Sequence, residues 1–451
     1  MEFEKIGNSM NQARNKPLEG IRAIELSEIW AGPFCGCLLG DMGAEVIKLE
    51  SIQRISRGPL NPPINTPGYP DNDPGDTPWN RQGNFNSVNR NKLGLTLDLK
   101  TEDGVNVFKD LVSTVDIVFC NYARTVMENF GLGYEVIKQI KPDIIFMLMP
   151  GYGNDGPYKN YRSMGMAIDA ISCNSFLRGY PDIDQSSNSL VHHPDAVAAV
   201  NGLLALTTAL IRRTKSGKGQ FIDMSQAESF MTHLGEIYIE NQISGEVRER
   251  RGNRHPNMIP SGVYRCSGDD NWIAISVRNE TEWEKLCDLI DPYIMEDPQF
   301  LNKTLRLKNH DELDKIINKW TSSKTKEEVM HTLQDSGVPA GAILDCGPEA
   351  YSDTQLNERN FFQIVDHPDA GIYPMSGPIF RFQSDKTEPN HMPSPCLGQH
   401  NGYILGELMG YSDHKISVLE KAEVIGTKPL TGSDLGGSRR FDQNNQDQKV
   451  D

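Results

Sequence analysis

Short apolar runs alternate with amphipathic stretches along the first half of the chain. The runs at Ile21–Leu26 and Glu45–Glu50 have the length and apolar content of buried strands. Between them, the stretch from Pro33 to about Met42 is predicted to be a helix, because proline suits the first helical turn, where its missing N–H costs nothing. A strand, a helix and a strand in this order are typical of a parallel α/β sheet.

The alternation continues after a long irregular segment at 51–90. Further strands are predicted at Leu93–Leu99, Asp116–Cys120, Asp143–Met149 and Gly219–Ser225, and helices at Gly104–Ser113 and Gly133–Ile140. A second unit is predicted from about 250 to 350, with a strand at Trp272–Val277, helices at Glu280–Ile290 and Lys326–Asp335, and a turn at Pro339-Ala340-Gly341. A last helix is predicted near Asn401–Met409. The polar residues 427–451 are predicted to be disordered.

Three glycines recur at a spacing of four in the first predicted helix. Gly32, Gly36 and Gly40 share one helix face, which predicts very close packing against a neighbouring element. The spacing differs from the glycine fingerprint of dinucleotide-binding proteins, so the sequence does not support a dinucleotide site.

The clearest long helix is predicted at Asp195–Thr214. Its large apolar residues repeat at helical spacing, at Val197, Val200, Leu204 and Ile211. Asp195 stands where an N-cap residue would stand, and an aspartate there is most often an ordinary cap. The same position favours a second interpretation, because the helix dipole keeps the carboxylate ionised and an ionised carboxylate can attack an activated carbonyl group.

Composition and charge exclude several classes of protein. The 451 residues carry a net charge of −16, which argues against broad nucleic-acid binding. No uninterrupted apolar run reaches the roughly 18 residues of a membrane helix, and the N-terminus has no apolar core, so the expected location is the cytoplasm, with no membrane partner. None of the eight cysteines has the spacing of a zinc site, so no metal is expected.

Four basic or amide side chains are candidates to hold phosphates. They are Lys48, Asn91, Lys92 and Arg124, although each alone is more often an ordinary surface residue. The residues by themselves therefore predict an α/β enzyme with a possible anionic ligand.

Several segments, in order along the chain, resemble the family III CoA-transferases of the CaiB/BaiF type, which include formyl-CoA transferase. They include LEGIRAIELSEIWAGPFCGCLLGDMGAEVIKLE at Leu18–Glu50, NRNKLGLTLDLK at Asn89–Lys100, DAVAAVNGLLALTTALIRRTKSGKGQFIDMS at Asp195–Ser225 and GQHN at Gly398–Asn401. The resemblance implies transfer of CoA from an acyl-CoA thioester, such as succinyl-CoA, to a carboxylic acid. It also implies that Asp195 is the nucleophile that carries a covalent aspartyl intermediate.

The resemblance also implies a CoA site, a fold and partners. CoA, here a substrate, is expected to contact the turn after the first strand (Ile29, Trp30 and Ala31), the pair Asn91-Lys92, the pair Asn121-Tyr122 at the adenine end, and Arg124. The implied fold is a Rossmann-like parallel sheet with a smaller α/β domain, in an interlocked dimer of identical or homologous subunits. The implied domains are a large α/β domain at 18–225, a small domain with linkers at 226–350, a C-terminal return to the large domain at 351–426 and a tail at 427–451.

Two alternatives remain open at the level of sequence. An acyl-CoA racemase of the same superfamily needs two opposed acid–base groups, and its members carry Gly-His-Asp where this chain has Gly165-Met166-Ala167. A non-catalytic subunit of a heteromeric transferase is the second alternative. Trp30, which stands where transferases of small acids have smaller or polar residues, favours an aryl-substituted or otherwise large acid, as in the aryl-succinate CoA-transferases.

Overall fold

The computed structural model describes residues 16–189, 193–380 and 391–430 and the backbone of 434–435. The chain divides into two compact units: the first takes the described residues of 1–172, 190–235 and 359–451, and the second takes 173–189 and 236–358. The implied boundaries differ from this division, because they placed 173–189 in the large domain and ended the small domain at 350. Of the predicted disordered tail, all but 427–430 and the backbone of 434–435 lies outside the described residues.

The first unit is built on a six-stranded parallel sheet. Its strands are β1 (Arg22–Leu26), β2 (Glu45–Glu50), β3 (Lys92–Thr96), β4 (Ile117–Cys120), β5 (Ile145–Leu148) and β6 (Gln220–Asp223). They are arranged in the order β3-β2-β1-β4-β5-β6, and every neighbouring pair is parallel. This is the doubly wound order of Rossmann-type sheets, so the predicted fold class is confirmed.

Helices cover both faces of this sheet. They are α1 (Ala31–Asp41), α2 (Glu102–Val112), α3 (Tyr134–Ile140), α4 (Gly165–Ile171), α5 (His193–Ser216) and α6 (Gln226–Met231). On one face, α1 and α5 share a core with the sheet, and on the other face α2, α3 and the C-terminal helices share a second core. The last predicted helix is a π-helix at Tyr403–Leu408, and a further helix follows at Asp413–Lys421.

Most of the large apolar residues that mark α5 in the sequence do not lie on its buried face. Val200, Leu204 and Ile211 were predicted to form its apolar stripe, and the structure exposes all three. The buried face instead carries small residues such as Ala198 and Gly202, because only small side chains leave room for α1 to pack closely. By length and composition α5 could also cross a membrane, but half of its apolar 18-residue stretch is buried inside the protein.

The second unit has a three-stranded antiparallel sheet flanked by helices. Its strands are β7 (Ser261–Arg265), β8 (Trp272–Ser276) and β9 (Ala340–Ala342), and its helices of six or more residues are α7 (Gly235–Ser244), α8 (Glu280–Ile290), α9 (Lys303–Lys308), α10 (His310–Thr321) and α11 (Lys326–Asp335). The turn predicted at Pro339-Ala340-Gly341 is wrong, because Ala340 and Gly341 pair with β8. This pairing adds an edge strand to the sheet. Its three residues are all small, so the sequence has no apolar pattern there that would predict a strand.

The remaining elements are short or lie near the C-terminus. A hairpin of Phe362–His367 and Gly371–Ser376 belongs to the first unit, and two-residue strands pair Arg54–Ile55 with Asp434–Leu435. Single helical turns lie at Pro70–Asn72, Pro78–Arg81, Gly83–Ser87, Val126–Asn129, Asn174–Leu177, Gln185–Ser187, Thr232–Leu234, Pro292–Glu296, Pro348–Ser352 and Thr354–Glu358. Three of these turns lie in the segment 51–90, which was predicted to be irregular.

Candidate active site

The carboxyl ends of β1 and β4 form the centre of the candidate site. The connections on the two sides of these neighbouring strands run in opposite directions, and such a switch point is where open α/β sheets bind ligands. The side chain of Asn121, directly after β4, spans this point. Its Oδ1 accepts a hydrogen bond from the Glu28 N–H at 2.9 Å, and its Nδ2 donates to the Glu28 carbonyl at 2.8 Å. Asn121 therefore fixes the β1–α1 turn, residues 27–30.

Ile29 has an unusual backbone conformation in this turn. Its φ is +68°, a region that β-branched residues avoid, and its side chain is 57% exposed. Strain of this kind persists only where surrounding contacts over-determine the backbone, and it is concentrated at functional sites. Trp30 follows and stacks on Phe34 with ring centroids 5.5 Å apart, while Ala31 is buried as the first residue of α1.

The glycine face of α1 lies directly against the charged residues of the sheet. A Cβ atom at Gly32 would lie 2.4 Å from the Cβ of Ser27, and one at Gly36 would lie 1.9 Å from Oε2 of Glu25. One at Gly40 would lie 2.7 Å from the Asn91 carbonyl oxygen. The predicted close packing is confirmed, and its consequence is that a carboxylate reaches the sheet–helix interface.

Glu25 is the centre of a network of buried charges. Its Oε1 accepts from Ser27 Oγ at 2.6 Å and from Lys48 Nζ at 3.0 Å, and its Oε2 lies 2.7 Å from Lys92 Nζ. Lys92 Nζ also donates to the Pro33 carbonyl at 2.7 Å. Burial lowers the pKa of Lys92 to about 8; the carboxylate of Glu25 opposes the shift and the charge of Lys48 adds to it.

A second buried ion pair lies beside this network. Arg57 donates from Nε to Glu50 Oε1 at 2.8 Å and also contacts Glu50 Oε2. Burial alone would raise the pKa of Glu50, but Arg57 outweighs it, so the pKa lies below its usual range. The guanidinium lies 3.9 Å from the ring centroid of Phe85, and the ammonium of Lys48 lies 5.8 Å from the same centroid. We call Glu25, Lys48, Lys92, Glu50 and Arg57 the buried ionic cluster.

A cavity of about 190 Å³ adjoins the buried ionic cluster. Glu28, Ile29 and Pro33 form its wall on the side of the β1–α1 turn, and Lys48 and Phe85 form part of another wall. The remaining lining residues are mostly polar or small: Ser56, Gly58, Gln82, Asn84 and Asn89. The cavity therefore joins the strained turn to the buried cations.

Asp195 lies in the first turn of α5. The helix begins at His193, so Asp195 is its third residue, and the predicted N-cap position is wrong. The extension arises because Pro194 fits a first helical turn, which needs no N–H from it. The side chain is 7% exposed, and the positive end of the helix dipole favours its ionised form.

The packing of α1 against α5 relates Asp195 to the β1–α1 turn. Both helices run back along the same face of the sheet, and Gly202 of α5 lies opposite Cys35 of α1. Counting back four residues on each helix places Ala31 beside Ala198. Asp195 therefore lies three residues, or ~4.5 Å along the helix axis, beyond the start of α1. The carboxylate and the turn occupy the same edge of the sheet.

The structure separates Asn91 from the other predicted CoA contacts. Lys92 pairs with Val46 and Arg22 pairs with Glu45, so Asn91 lies at the amino edge of the sheet, ~13 Å from the end of β1. Its amide donates to Asp41 and to His391 and accepts from the Met392 N–H. The Asn91 side chain thus joins α1 to the segment at His391–Met392, and a phosphate contact of Asn91 stays a prediction.

The other predicted CoA contacts are likewise split between the protein interior and the carboxyl edge of the sheet. The ammonium of Lys92 is fully buried in the cluster and does not reach the surface. Tyr122 packs partly buried against the core beside β4. Arg124 donates to the Asn154 carbonyl at 2.9 Å, and Asn154 in turn contacts Asp223 at the end of β6. Tyr122 and Arg124 thus remain at the carboxyl edge.

Sequence reasoning missed Glu25 and underestimated Lys48. Both are charged residues within strands of otherwise apolar character, and an unexplained charge in a buried strand was the available signal. Within the described residues, no group of three or more His, Cys, Asp or Glu side chains could hold a metal ion.

The fold and the site together place a carboxylate and a strained turn at the carboxyl edge of a Rossmann-type α/β sheet. Comparison with known proteins identifies the family of the chain. Residues 18–401 match the model of CoA-transferase family III, and the chain belongs to this family of CoA-transferases.

Individual relatives cover nearly the whole chain. The succinyl-CoA–D-citramalate CoA-transferase of Chloroflexus aurantiacus is 31% identical over 92% of this chain and 100% of its own length. The human succinyl-CoA:glutarate CoA-transferase is 29% identical over 91% of this chain and 90% of its own. The crystal structure of a CaiB/BaiF family protein from Brucella suis has a TM-score of 0.76 and 28% identity, and covers 88% of this chain and 100% of that one.

Proposed function

We propose that this enzyme transfers CoA from succinyl-CoA to a carboxylic acid through a covalent intermediate on Asp195. The observation that carries the proposal is the nearly buried carboxylate of Asp195 in the first turn of α5, at the same sheet edge as the β1–α1 turn. The two relatives named above act on succinyl-CoA, and the acids in their names, citramalate and glutarate, are both dicarboxylic.

The reaction proceeds by four acyl transfers. The Asp195 carboxylate attacks the thioester carbonyl of the donor, giving a mixed anhydride and CoA thiolate. The thiolate attacks the aspartyl carbonyl, giving an aspartyl-CoA thioester and releasing the donor acid. The acceptor carboxylate displaces the thiolate to form a second anhydride, and the thiolate then attacks the acceptor carbonyl. The products are the new acyl-CoA and the regenerated carboxylate.

The surroundings of Asp195 suit this chemistry. The α5 dipole favours the anionic nucleophile, and burial limits the access of water, which would hydrolyse the anhydrides. In this proposal the β1–α1 turn lies beside the pantetheine and Tyr122 and Arg124 contact CoA. Asn121 acts through the turn that it holds, rather than on the adenine.

The substitution Asp195→Asn tests the nucleophile. Asparagine keeps the shape but not the anionic oxygen, so we expect transfer to fall by roughly 10⁴-fold or more while CoA still binds. Mass spectrometry after incubation with donor and trapping with hydroxylamine is expected to find the modification on the Asp195 peptide. Asp143→Asn, at the opposite sheet edge, is the matched control. Near wild-type turnover of Asp195→Asn, or a label on Asp169 or Glu128, would overturn the assignment.

The exposed stripe of α5 supports a dimer. Val200, Leu204 and Ile211 lie on the side of the helix away from the sheet, and Leu204 is 63% exposed. A helix that is apolar on both faces is normally buried on both, so we propose that a second copy or a homologous subunit covers this stripe, with interlocked chains as the predicted arrangement. Turnover by the purified chain alone would exclude a purely non-catalytic role. We propose that the enzyme is cytoplasmic, as expected from a sequence in which no apolar run reaches the length of a membrane helix.

A further inference from the structure

The buried ionic cluster carries more positive than negative charge. Lys48, Lys92 and Arg57 contribute three cations, and Glu25 and Glu50 contribute two carboxylates, all on side chains that are at most 9% exposed. A buried charge without a compensating partner is costly. Burial is the main cause of the lowered pKa of Lys92, and the charge of Lys48 adds to it.

The surplus positive charge lies beside the cavity and not within the close-packed core. Lys48 forms part of the cavity wall, and its ammonium donates to Glu25 at 3.0 Å and to the Ser27 carbonyl at 3.0 Å. Within the described part of the chain, these are two acceptors for three N–H groups. Glu28, which also lines the cavity, is paired with Arg54 at 3.1 Å and so does not neutralise the surplus.

We propose that this cavity binds the non-reacting carboxylate of a dicarboxylic acid, with Lys48 as its charged partner. The inference rests on the proposed function and deepens it by naming the substrate class. A surplus of one positive charge matches a single carboxylate, whereas a phosphate monoester carries about −1.5 to −2. At ~30 Å³ per water molecule, the cavity holds about six waters. That is room for a carboxylate and the carbons attached to it.

The position of the cavity gives this binding a role in transfer. Glu28 and Ile29 of the β1–α1 turn and Pro33 of α1 all line the cavity. By the pairing of α1 with α5 described above, Asp195 lies ~4.5 Å beyond the start of α1 along the helix axis. Holding one end of the acid at Lys48 directs the other end toward the β1–α1 turn. Binding energy from a remote group is then used to orient the reacting carboxylate.

The substitution Lys48→Met tests the subsite without leaving a carboxylate unpaired. It leaves Glu25 with Lys92 and Glu50 with Arg57, so the charge of the cluster becomes zero. Calorimetric titration of glutarate, butyrate and free CoA into wild type and variant is the measurement. We expect the Kd of glutarate to rise about 10- to 100-fold, the loss of one charge-assisted hydrogen bond. The Kd of free CoA and the weak binding of butyrate are expected to stay within about threefold.

A matched control and a kinetic measurement complete the test. Lys141→Met removes a lysine paired with Asp143 on the first unit's surface and is expected to change none of these constants. In steady-state assays, Lys48→Met is expected to lower kcat/KM for glutarate and not for butyrate.

Two results would overturn the inference. One is an unchanged glutarate Kd; the other is an equal rise for glutarate and CoA, which would assign the subsite to a phosphate or to general structure. Because the titrations need no turnover, failure of the proposed transfer reaction would appear separately, in the Asp195→Asn experiment.

Discussion

Adding a single methyl group at Gly36 is expected to disrupt the buried ionic cluster. The Cβ of an alanine would lie 1.9 Å from Oε2 of Glu25 and 3.2 Å from Cε of Lys92. The first distance is far inside any van der Waals contact, so the Glu25 carboxylate must shift, and its 2.7 Å contact with Lys92 Nζ is expected to be disrupted. The backbone of Gly36 is helical, so the clash is the main cost of the substitution.

The magnitude follows from two opposing effects. Breaking a buried ion pair costs about 3–5 kcal/mol, because one charge is left without its partner. Replacing glycine by alanine inside a helix stabilises the folded state by about 1 kcal/mol. The net loss is therefore about 2–4 kcal/mol, a large share of the ~5–15 kcal/mol that stabilises a typical protein.

Urea unfolding at pH 7, followed by circular dichroism, measures this loss. Gly402→Ala is the matched control, because Gly402 also has helical backbone angles and no atom lies within 4 Å of the added Cβ. We expect that variant to gain about 0.4–1 kcal/mol, the opposite sign. If Gly36→Ala unfolded at the same urea concentration as Gly402→Ala, the close approach of α1 to Glu25 would not be what the glycine face provides.

Two further predictions concern pH and assembly. Burial lowers the pKa of His391 and of His400 to about 4; for His391, Asp41 opposes the shift and Arg90 adds to it. The folded state then binds fewer protons than the unfolded state between pH 4 and 6.5. Each histidine is therefore expected to lower the free energy of unfolding by about 1.4 kcal/mol per pH unit as the pH falls through this window. In urea unfolding measured at several pH values, His400→Gln is expected to make the free energy of unfolding less dependent on pH. Leu204→Asp is expected to convert a dimer into monomers in sedimentation experiments, and a wild-type protein that sediments as a monomer would contradict the proposed partner surface.

The sequence by itself determined the parallel sheet and the close-packed glycine face. Strands such as β2 and helices such as α8 were predicted with the bounds that the structure has, because a short apolar-rich run indicates a buried strand and apolar residues at helical spacing indicate an amphipathic helix. Asp195 could be selected from its place before a long helix and from the family resemblance. These signals are local, so they can be recognised from the sequence alone.

Only the tertiary structure decided which polar residues meet. Asn91 and Lys92 are adjacent residues within one family motif, yet strand register places Asn91 at the amino edge and the close approach of α1 buries Lys92. The two hydrogen bonds of Asn121 to the backbone of Glu28 join residues 93 positions apart. The exposed stripe of α5 could not be told from a buried one, because helical spacing reports that a face is apolar and not what covers it. Register, helix rotation and long-range side-chain contacts arise from packing, and no single stretch of sequence encodes them.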